Sequence, residues 1–447
     1  MTPKGAFVTL GRAWWARVSC LSFEPIILHT LPFLEFNVTN VVCLRCRECK
    51  REFPVEPGNV CDFCFGPLEV VYDYSAIKKV ISREKIEAGP FNLWRYQDLL
   101  PVDAANAIDI NAGFTPLIRS KGLAEYLGLK ELYIKNDSVN PSYSFKDRVV
   151  AVASTKALEF GFDTLACAST GNLACSVAAH AARAGVKSFV FIPHDLEKEK
   201  VVGAAVYGPT LIAVKGSYDD VNRVCSEVAD QHHWAFVNIN MRPFYSEGSK
   251  TLGYEVVEQL GWRIPDHAVV PAASGSLFVK IWKGLHELNQ LDLAGDVKTK
   301  MHLVQAEGCS PIVQAYQSGV THVKPTKPNT VAKSLGIGNP ADGFYSLQVM
   351  KSSKGSAVSA PEEEIAESMK LLAQTEGIFT ETAGGVVISG LRKLVRDGRI
   401  KPDDCTVVYI TGNGYKTHQV VEDVVNPIEI SPSIDSFEEA LATRVRV

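Results

Sequence analysis

The sequence predicts an α/β protein in which parallel-type sheets are flanked by helices. From about residue 110 onward, short apolar runs alternate with amphipathic or alanine-rich stretches, a pattern typical of parallel α/β sheets. The apolar runs have the composition of strands that are buried on both faces. Small and polar residues follow several of these runs, and α/β folds bind their ligands at the carboxyl ends of strands.

The composition sets the broad class of the protein. With 447 residues, the chain is long enough for two or more domains, and its charged content of 21% is ordinary for a globular protein. A net charge of -4 does not indicate binding to nucleic acid or to an anionic membrane. No segment approaches the roughly 20 apolar residues that a membrane span requires. Isolated cysteines such as Cys167 and Cys225 lie in apolar sequence, which predicts a reducing, cytoplasmic environment.

The two ends of the chain differ from its middle. Residues 1–40 contain Trp14 and Trp15 and have no acid before Glu24. Acid-poor segments of this kind also occur in transit peptides, but we favour an N-terminal extension that is disordered or peripheral. Residues 426–447 are acidic and contain proline, and we expect them to form a peripheral C-terminal tail.

Residues 41–74 form a short, turn-rich segment with two C-x-x-C pairs. The four cysteines of these pairs are Cys46, Cys49, Cys61 and Cys64. Paired cysteine knuckles are typical of a structural zinc site, in which four thiolates leave no open position for catalysis. Cys43 could replace Cys49 as the partner of Cys46, and four free thiols are the alternative to a metal site. We favour a small N-terminal zinc ribbon with four cysteine ligands.

The remaining elements follow in order along the chain. Apolar runs predict strands at residues 132–135, 164–168, 188–192, 210–214, 236–239, 268–271, 301–305 and 406–410. The stretches between them predict helices, for example at 148–160, 173–184, 218–231, 249–260 and 362–376. We expect two lobes, formed by residues 75–265 and 266–425.

One lysine has neighbours that point to cofactor chemistry. Lys146 lies in the motif S-F-K-D-R at the start of a predicted helix, and residues 169–172 read S-T-G-N between a predicted strand and a helix. Lysine forms Schiff bases with pyridoxal 5′-phosphate (PLP), and small-residue turns hold carboxylates through free backbone N–H groups. Together the two segments predict an enzyme that binds PLP and holds an amino-acid carboxylate beside it.

Two further motifs complete a resemblance to a known family. Residues 247–251 read E-G-x-K-T and residues 411–414 read T-G-x-G. With these four motifs in series, the chain resembles the fold-type II PLP enzymes, also called the tryptophan synthase β family, and within them the threonine synthases. The resemblance covers roughly residues 43 to 420 and implies two lobes of parallel-type sheets flanked by helices. Some threonine synthases also carry an N-terminal cysteine ribbon.

The resemblance also implies roles for individual residues. Lys146 would be the catalytic residue, which binds PLP covalently and then shuttles protons. Asn172 would donate a hydrogen bond to the 3′-oxygen of PLP, and Thr411 would face its pyridine nitrogen. The phosphate of PLP would lie in a loop formed by Ala273, Ser274, Gly275, Ser276 and Leu277. The substrate carboxylate would be bound by Ser169, Thr170 and Gly171.

The chain departs from the threonine synthase pattern where that family binds the phosphate of its substrate. Leu173 stands where threonine is frequent, and Tyr245 stands where arginine is frequent. A dianionic phosphate needs several donors or cations. The residues that could supply them are Arg242 and Lys250, followed by Lys333 and Asn339.

The resemblance implies a lyase that converts O-phospho-L-homoserine and water to L-threonine and phosphate, in a homodimer as is common for fold-type II enzymes. Leu173 and Tyr245 keep a related PLP lyase open as an alternative. That enzyme would carry out β-replacement on O-phosphoserine, as cysteate synthase does, or would dehydrate threonine or serine. A third interpretation is a zinc-ribbon binding or regulatory protein whose PLP site is vestigial.

Overall fold

Three sheets organise the chain, which the computed structural model describes at residues 39–169, 171–194, 198–216 and 218–444. Most of the predicted N-terminal extension and Thr170 lie outside these ranges. The strands are β1 (Val41–Cys46), β2 (Glu52–Phe53), β3 (Leu68–Tyr72), β4 (Leu117–Arg119), β5 (Leu132–Asn136), β6 (Thr164–Ala168), β7 (Lys187–Pro193), β8 (Thr210–Val214), β9 (Ala235–Phe236), β10 (His267–Pro271), β11 (Lys300–Ala306), β12 (Ser356–Ala360) and β13 (Thr406–Ile410).

Helices connect and cover these strands. The α-helices are α1 (Tyr74–Lys78), α2 (Arg83–Glu87), α3 (Gly122–Leu127), α4 (Lys146–Glu159), α5 (Asn172–Ala184), α6 (Lys198–Ala205), α7 (Tyr218–Gln231), α8 (Arg242–Glu247), α9 (Lys250–Gln259), α10 (Ser276–Gln290), α11 (Pro311–Gln317), α12 (Gly343–Ser353), α13 (Glu362–Glu376), α14 (Thr382–Arg396) and α15 (Ile434–Arg444). Among the described residues, no helix is long and apolar enough to cross a lipid bilayer.

The largest sheet has six strands in the order β12-β11-β10-β13-β5-β4. Its neighbouring strands are parallel except for β4, which pairs antiparallel with β5 at the edge. The residues of β10 and β13 are all buried, as expected for strands covered on both faces. Because β10 and β13 are parallel neighbours, the loops that follow them lie at the same edge of the sheet.

The second sheet has four parallel strands in the order β8-β7-β6-β9. A single hydrophobic core joins it to the six-stranded sheet, because Leu165 of β6 and Val270 of β10 belong to one cluster of buried side chains. Val149 of α4 and Phe244 of α8 belong to the same cluster. The helix that begins at Lys146 therefore packs into the hydrophobic core that the two sheets share.

Local sequence explains where the helices begin and end. Helix α13, for example, follows Pro361 and carries three glutamates in its first turn, where negative charge complements the helix dipole. It ends at Gly377, whose φ of 68° is the left-handed conformation that glycine adopts without strain. The third sheet, in the order β2-β1-β3, is antiparallel and lies within the predicted ribbon segment.

The α/β class and all eight predicted strands are present in the structure. The prediction for residues 236–239 was too long, because the chain turns after Phe236 and enters helix α8 at Arg242. Strands β4 and β5 precede residue 265, yet β5 pairs with β13. Sheet membership therefore crosses the lobe boundary that the sequence predicts at residue 265, since pairing over this distance leaves no local signal.

Candidate active site

The candidate site forms where the start of helix α4 meets the end of strand β13. Lys146 is the first residue of α4. The N–H of the preceding Phe145 donates to the carbonyl oxygen of Thr411 at 2.9 Å, and Ser144 pairs with Gly412 in an antiparallel bridge. Thr411 directly follows β13 and is buried. Backbone hydrogen bonds thus join two of the predicted motifs, S-F-K-D-R and T-G-x-G.

The ammonium group of Lys146 contacts a tyrosine hydroxyl. Its Nζ donates to Oη of Tyr245 at 3.1 Å and lies 4.5 Å from the centre of the Phe145 ring. Tyr245 lies in helix α8. The aromatic faces favour a nearby cation, and the hydroxyl fixes the direction of the amine. Tyr245 therefore belongs to the immediate surroundings of Lys146.

Asn172 is held by two charged side chains. It begins helix α5, and its Nδ2 donates to the two carboxylate oxygens of Glu381 at 3.2 and 3.0 Å. Its Oδ1 accepts from Nζ of Lys416 at 2.7 Å, and Lys416 also donates to the carbonyl oxygen of Ser142 at 2.6 Å. These bonds orient the amide and link α5 to the segment that precedes Lys146.

Glu381 is a buried acid at the centre of the site. It precedes helix α14 and is only 3% exposed. Burial raises the pKa of Glu381, although the hydrogen bond from Asn172 and the charges of Lys416 and Lys146 act in the opposite direction. A carboxyl group whose pKa is raised can hold or release a proton closer to neutral pH than an exposed glutamate can.

The predicted carboxylate loop leaves room for a ligand. The N–H of Gly171 donates to Oγ of Ser169 at 3.3 Å. A Cβ placed on Gly171 would have no other atom within 4 Å, so the space beside this residue is open. Gly171 precedes the first turn of α5, whose N–H groups have no acceptor within the helix. The loop is thus suited to an anion, and Thr170 lies outside the described residues.

The predicted phosphate loop lies at the start of helix α10. Gly275 immediately precedes α10 with φ of 94°, and a Cβ at this position would overlap Oγ of Ser346. Only glycine fits this close approach. The carbonyl oxygen of the preceding Ser274 accepts from the N–H of Asp342 at 2.9 Å. The loop therefore directs the N–H groups of the first turn of α10 toward the edge that β10 shares with β13.

Of the residues predicted to bind the substrate phosphate, Arg242 is placed differently from Lys250. Nη2 of Arg242 lies 2.9 Å from Oδ2 of Asp342, and its side chain is 33% exposed. Lys250 is fully buried, with its Nζ 2.7 Å from Oε2 of Glu247 and 3.1 Å from Oε1 of Glu287. The contacts of the Lys250 ammonium thus lie in a buried cluster and not at Lys146. The substrate contact that the sequence analysis expects of Lys250 stays a prediction.

A second buried cluster supports the lysine helix. Arg148, two residues after Lys146, is fully buried and contacts Asp137 at 2.6 Å and Glu255. Burial alone would lower the pKa of Arg148, but the two carboxylates raise it overall. Lys135 of β5 joins the cluster, 2.6 Å from Glu255. The arginine of the S-F-K-D-R motif therefore anchors α4 to α9 and to the residue that follows β5, and it takes no part in the contacts of Lys146.

The cysteine pairs converge at one point. Sγ of Cys46 lies 3.4 Å from Sγ of Cys64, and Sγ of Cys49 lies 3.6 Å from Sγ of Cys61. All four sulfur atoms lie within 4.8 Å of one another. This arrangement fits a tetrahedral metal ion. Cys43 lies within strand β1, is buried and does not belong to this group.

Three contacts of the site were not predicted from the sequence, namely those of Glu381, Lys416 and Tyr245. Lys416 lies two residues beyond the T-G-x-G motif, so proximity could have suggested it. Glu381 precedes a helix that starts Thr-Ala-Gly-Gly, and small residues at a helix start permit close approach. Neither feature of the sequence identifies a site residue unless the fold is known.

The residues present fit PLP. Lys146 offers an amine for its aldehyde, and Asn172 and Thr411 offer polar contacts for its ring. The first turn of α10 offers N–H groups for its phosphate, and the open space at Gly171 leaves room for an amino acid. These groups are brought together by backbone and side-chain hydrogen bonds across the two sheets.

Comparison with known proteins agrees with this chemistry. Residues 108–412 match the family described as pyridoxal-phosphate dependent enzyme. The chain is 39% identical over 375 residues to the threonine synthase of Methanocaldococcus jannaschii, which covers 83% of this chain and 92% of that protein. It is 38% identical over 402 residues to the threonine synthase of Methanosarcina acetivorans, with 89% and 98% covered. The chain belongs to the threonine synthase family of PLP-dependent enzymes.

The threonine synthase family extends to bacterial proteins and its fold to other PLP enzymes. The threonine synthase of Bacillus sp. is 35% identical over 349 residues, with 78% of this chain and 96% of that protein covered. Threonine deaminase isoform 2 of Solanum lycopersicum has a TM-score of 0.59 at 18% identity, covering 83% of this chain and 96% of that one. Diaminopropionate ammonia lyase of Escherichia coli has a TM-score of 0.60 at 20% identity, covering 71% and 89%. These structures confirm the predicted fold-type II architecture.

Proposed function

We propose that this chain is a threonine synthase, which converts O-phospho-L-homoserine and water to L-threonine and phosphate. The observation that carries the proposal is the similarity to threonine synthases over nearly their whole length. The hydrogen bonds around Lys146, Asn172 and Thr411 support it. The relatives do not favour the alternatives of O-phosphoserine replacement or of threonine and serine dehydration. They also speak against a binding protein with a vestigial site.

The chain's own groups have separable tasks in this reaction. Bound PLP would supply an electron sink for the amino-acid carbons attached to it. Lys146 would hold PLP and carry protons on its Nζ. Ser169, Thr170 and Gly171 would bind the substrate carboxylate, which fixes the amino acid relative to Lys146. Asn172 and Thr411 would contact the ring, and residues 273–277 would hold the cofactor phosphate.

Tyr245 and Glu381 would assist proton movement. The Oη of Tyr245 accepts from Nζ of Lys146 in the structure, so its own hydroxyl proton is free to point into the site. Glu381 contacts Asn172 and has a raised pKa because of its burial. A base that works near neutral pH gains from partners that orient it and share its proton.

Arg242 is the proposed contact for the substrate phosphate. It is the partly exposed cation in helix α8 on the turn before Tyr245. Its present partner, Asp342, neutralises it, so phosphate would compete with or share that contact. Lys250 is less suited to this role than Arg242, because its ammonium is buried between Glu247 and Glu287.

A structural zinc ion at the four cysteines is part of the proposal, supported by their mutual distances. Metal analysis of the purified protein should give one zinc per chain, and Cys61→Ser should lose it. Cys43→Ser is the matched control, because Cys43 lies outside the sulfur cluster, and it should retain the metal. Retention of zinc in Cys61→Ser would contradict the assignment.

A homodimer and a cytoplasmic location complete the proposal. The homodimer rests on the fold-type II resemblance, and the location rests on the cysteine usage.

The deciding experiment is a phosphate-release and amino-acid product assay with O-phospho-L-homoserine. O-phosphoserine and L-threonine are run beside it as alternative substrates. Threonine should appear with phosphate, and Lys146→Ala should abolish both product formation and the visible absorbance of the lysine–cofactor linkage. Lys130→Ala, at an exposed surface lysine, should behave as wild type. Turnover of O-phosphoserine or threonine alone would overturn the substrate and leave the cofactor assignment standing.

A further inference from the structure

The first cysteine knuckle docks on the lobe that carries the phosphate loop. Arg47 lies between Cys46 and Cys49, and its Nη1 is 3.1 Å from Oδ1 of Asp342. Its guanidinium carbon lies 3.3 Å from the centre of the Tyr345 ring. The side chains of Arg47 and Asp342 are 16% and 9% exposed, so this ion pair is largely shielded from solvent and from screening by salt.

Neighbouring side chains reinforce the same contact. The hydroxyl of Tyr345 donates to Glu48, the other residue between the two cysteines. The Nε of Arg47 lies 3.8 Å from Oε2 of Glu69, which follows the second cysteine pair. Both inner residues of the C-x-x-C knuckle therefore bind outside the ribbon. If these two side chains stabilised only the ribbon, they would not contact residues outside it.

Asp342 connects Arg47 to the phosphate loop. Its N–H donates to the carbonyl oxygen of Ser274 at 2.9 Å, and its own carbonyl oxygen accepts from Oγ of Ser346 at 2.9 Å. Ser346 is the side chain that packs against Gly275 so closely that a Cβ there would overlap it. The second carboxylate oxygen of Asp342 contacts Arg242. One buried aspartate thus touches the ribbon, the phosphate loop and the proposed substrate-phosphate contact.

We propose that Arg47 is a positioning residue that couples the four-cysteine site to the loop proposed to hold the phosphate of PLP. The coupling runs from the knuckle to Arg47, from Arg47 to Asp342, and from Asp342 to Ser274 and Gly275. It rests on the proposed zinc and PLP sites, and it does not depend on which amino acid is the substrate.

The physical reason is that a metal ion fixes the knuckle. Four thiolates bound to zinc hold the backbone of residues 46–49, and with it the direction of the Arg47 side chain. Without the ion the knuckle gains conformational freedom, and Asp342 loses a charge-assisted hydrogen bond. Binding of the PLP phosphate would then also have to order the phosphate loop, and the affinity for PLP would fall. Because coupling between sites is reciprocal, PLP should in turn make zinc harder to remove.

The first test measures the dissociation constant of PLP for the cofactor-free, zinc-loaded protein. Arg47→Met keeps the aliphatic stem and removes the guanidinium, and it should raise the dissociation constant about tenfold, within the range typical of coupled sites. Arg45→Met is the matched control, because Arg45 pairs with Glu52 inside the ribbon, and it should leave PLP affinity unchanged. Equal affinities for all three proteins would overturn the proposal.

The second test measures the rate of zinc release to a chromophoric chelator, with and without PLP. PLP should slow release from the wild-type protein severalfold and have little effect on Arg47→Met. Tyr345→Phe removes the hydrogen bond to Glu48 but keeps the ring under Arg47, and it should show a partial loss if Arg47→Met fails to fold. A rate of zinc release from the wild-type protein that does not change with PLP would refute the coupling. Because neither test needs turnover, a negative result here is distinct from a failure of the threonine synthase assignment.

Discussion

The Oη of Tyr245 accepts the hydrogen bond that orients the Lys146 amine. Hydrogen bonds that involve a charged group contribute about 1.5–3 kcal/mol. We therefore predict that Tyr245→Phe lowers kcat on the order of tenfold or more, while the ring stays beside the Lys146 side chain and PLP content stays the same. Steady-state kinetics and the visible absorbance of the bound cofactor measure the two quantities separately.

The pH profile distinguishes a direct role of Tyr245 from a packing role. Loss of the hydroxyl should change the pH dependence of kcat, because it removes a proton-sharing partner of Lys146. Tyr126→Phe, at an exposed position of helix α3, is the control and should match the wild-type protein. A Tyr245→Phe enzyme with unchanged kcat and pH profile would show that the hydroxyl is dispensable.

Single residues also show what the sequence could and could not predict about the site. The motifs predict Lys146, Asn172, Gly275 and Thr411 at the end of a strand or the start of a helix, and each residue lies at such a position in the structure. The substrate contact of Lys250 stays a prediction, and its motif shows only one of the two acids around its ammonium, namely Glu247. The other acid, Glu287, comes from helix α10, and nothing in the sequence near Lys250 indicates it.

At the scale of elements, helices α9 and α10 approach one another through two glycines. A Cβ on Gly284 of α10 would lie 2.7 Å from the carbonyl oxygen of Lys250, and a Cβ on Gly253 of α9 would lie 2.9 Å from that of Ile281. Backbone oxygens cannot move aside as flexible side chains do. The crossing therefore requires residues without a side chain at both positions.

We predict that Gly284→Ala destabilises the protein by about 1–3 kcal/mol, the usual cost of overpacking. Alanine is intrinsically better than glycine in a helix by about 1 kcal/mol, so the steric term must exceed that gain. Gly203→Ala in helix α6 is the control, because its Cβ would meet only Sγ of Cys175 at 3.2 Å. Urea denaturation measures both, and a Gly284→Ala protein as stable as wild type would contradict the close crossing.

Elements were predicted well where they are long and apolar. Strands β6 and β13 begin and end at the predicted residues, since buried parallel strands are continuous apolar runs. Strand β8 also has the predicted bounds, although it is a more exposed strand at the edge of its sheet. Strand β4 has three residues and was missed, and β12 reads Ser-Ala-Val-Ser-Ala, which has little apolar character. Both strands are held by their neighbours in the sheet, and that information is not local.

At the scale of the whole molecule, a chain of buried histidines crosses the edge of the six-stranded sheet where β10 and β11 begin. Nε2 of His267 lies 3.0 Å from Oδ2 of Asp404, and Nδ1 of His267 lies 2.8 Å from Nε2 of His302. Nδ1 of His302 lies 2.7 Å from Oγ of Ser356. With both rings neutral, each can donate once and accept once along this line. The chain of bonds ties together β10, β11, β12 and the start of β13.

Both histidines resist protonation in the folded protein. Burial lowers the pKa of His302 to about 3, with the charges of His267, Arg399 and Lys300 acting in the same direction. Burial also lowers the pKa of His267, against the attraction of Asp404. In the unfolded chain both would titrate near pH 6.5. Below that pH the unfolded state binds protons that the folded state does not, so acid favours unfolding down to about pH 3.

We therefore predict that His302 alone reduces the free energy of unfolding by about 1 kcal/mol between pH 6.5 and 5.5. Urea denaturation at the two pH values measures this change. His302→Gln keeps one donor and one acceptor but does not titrate, so its loss of stability over this interval should be smaller by about the same amount. His322→Gln, at an exposed histidine, should keep the wild-type pH dependence. If His302→Gln and the wild-type protein lose stability equally, the acid sensitivity arises elsewhere, and the histidine chain stabilises the sheet without sensing pH.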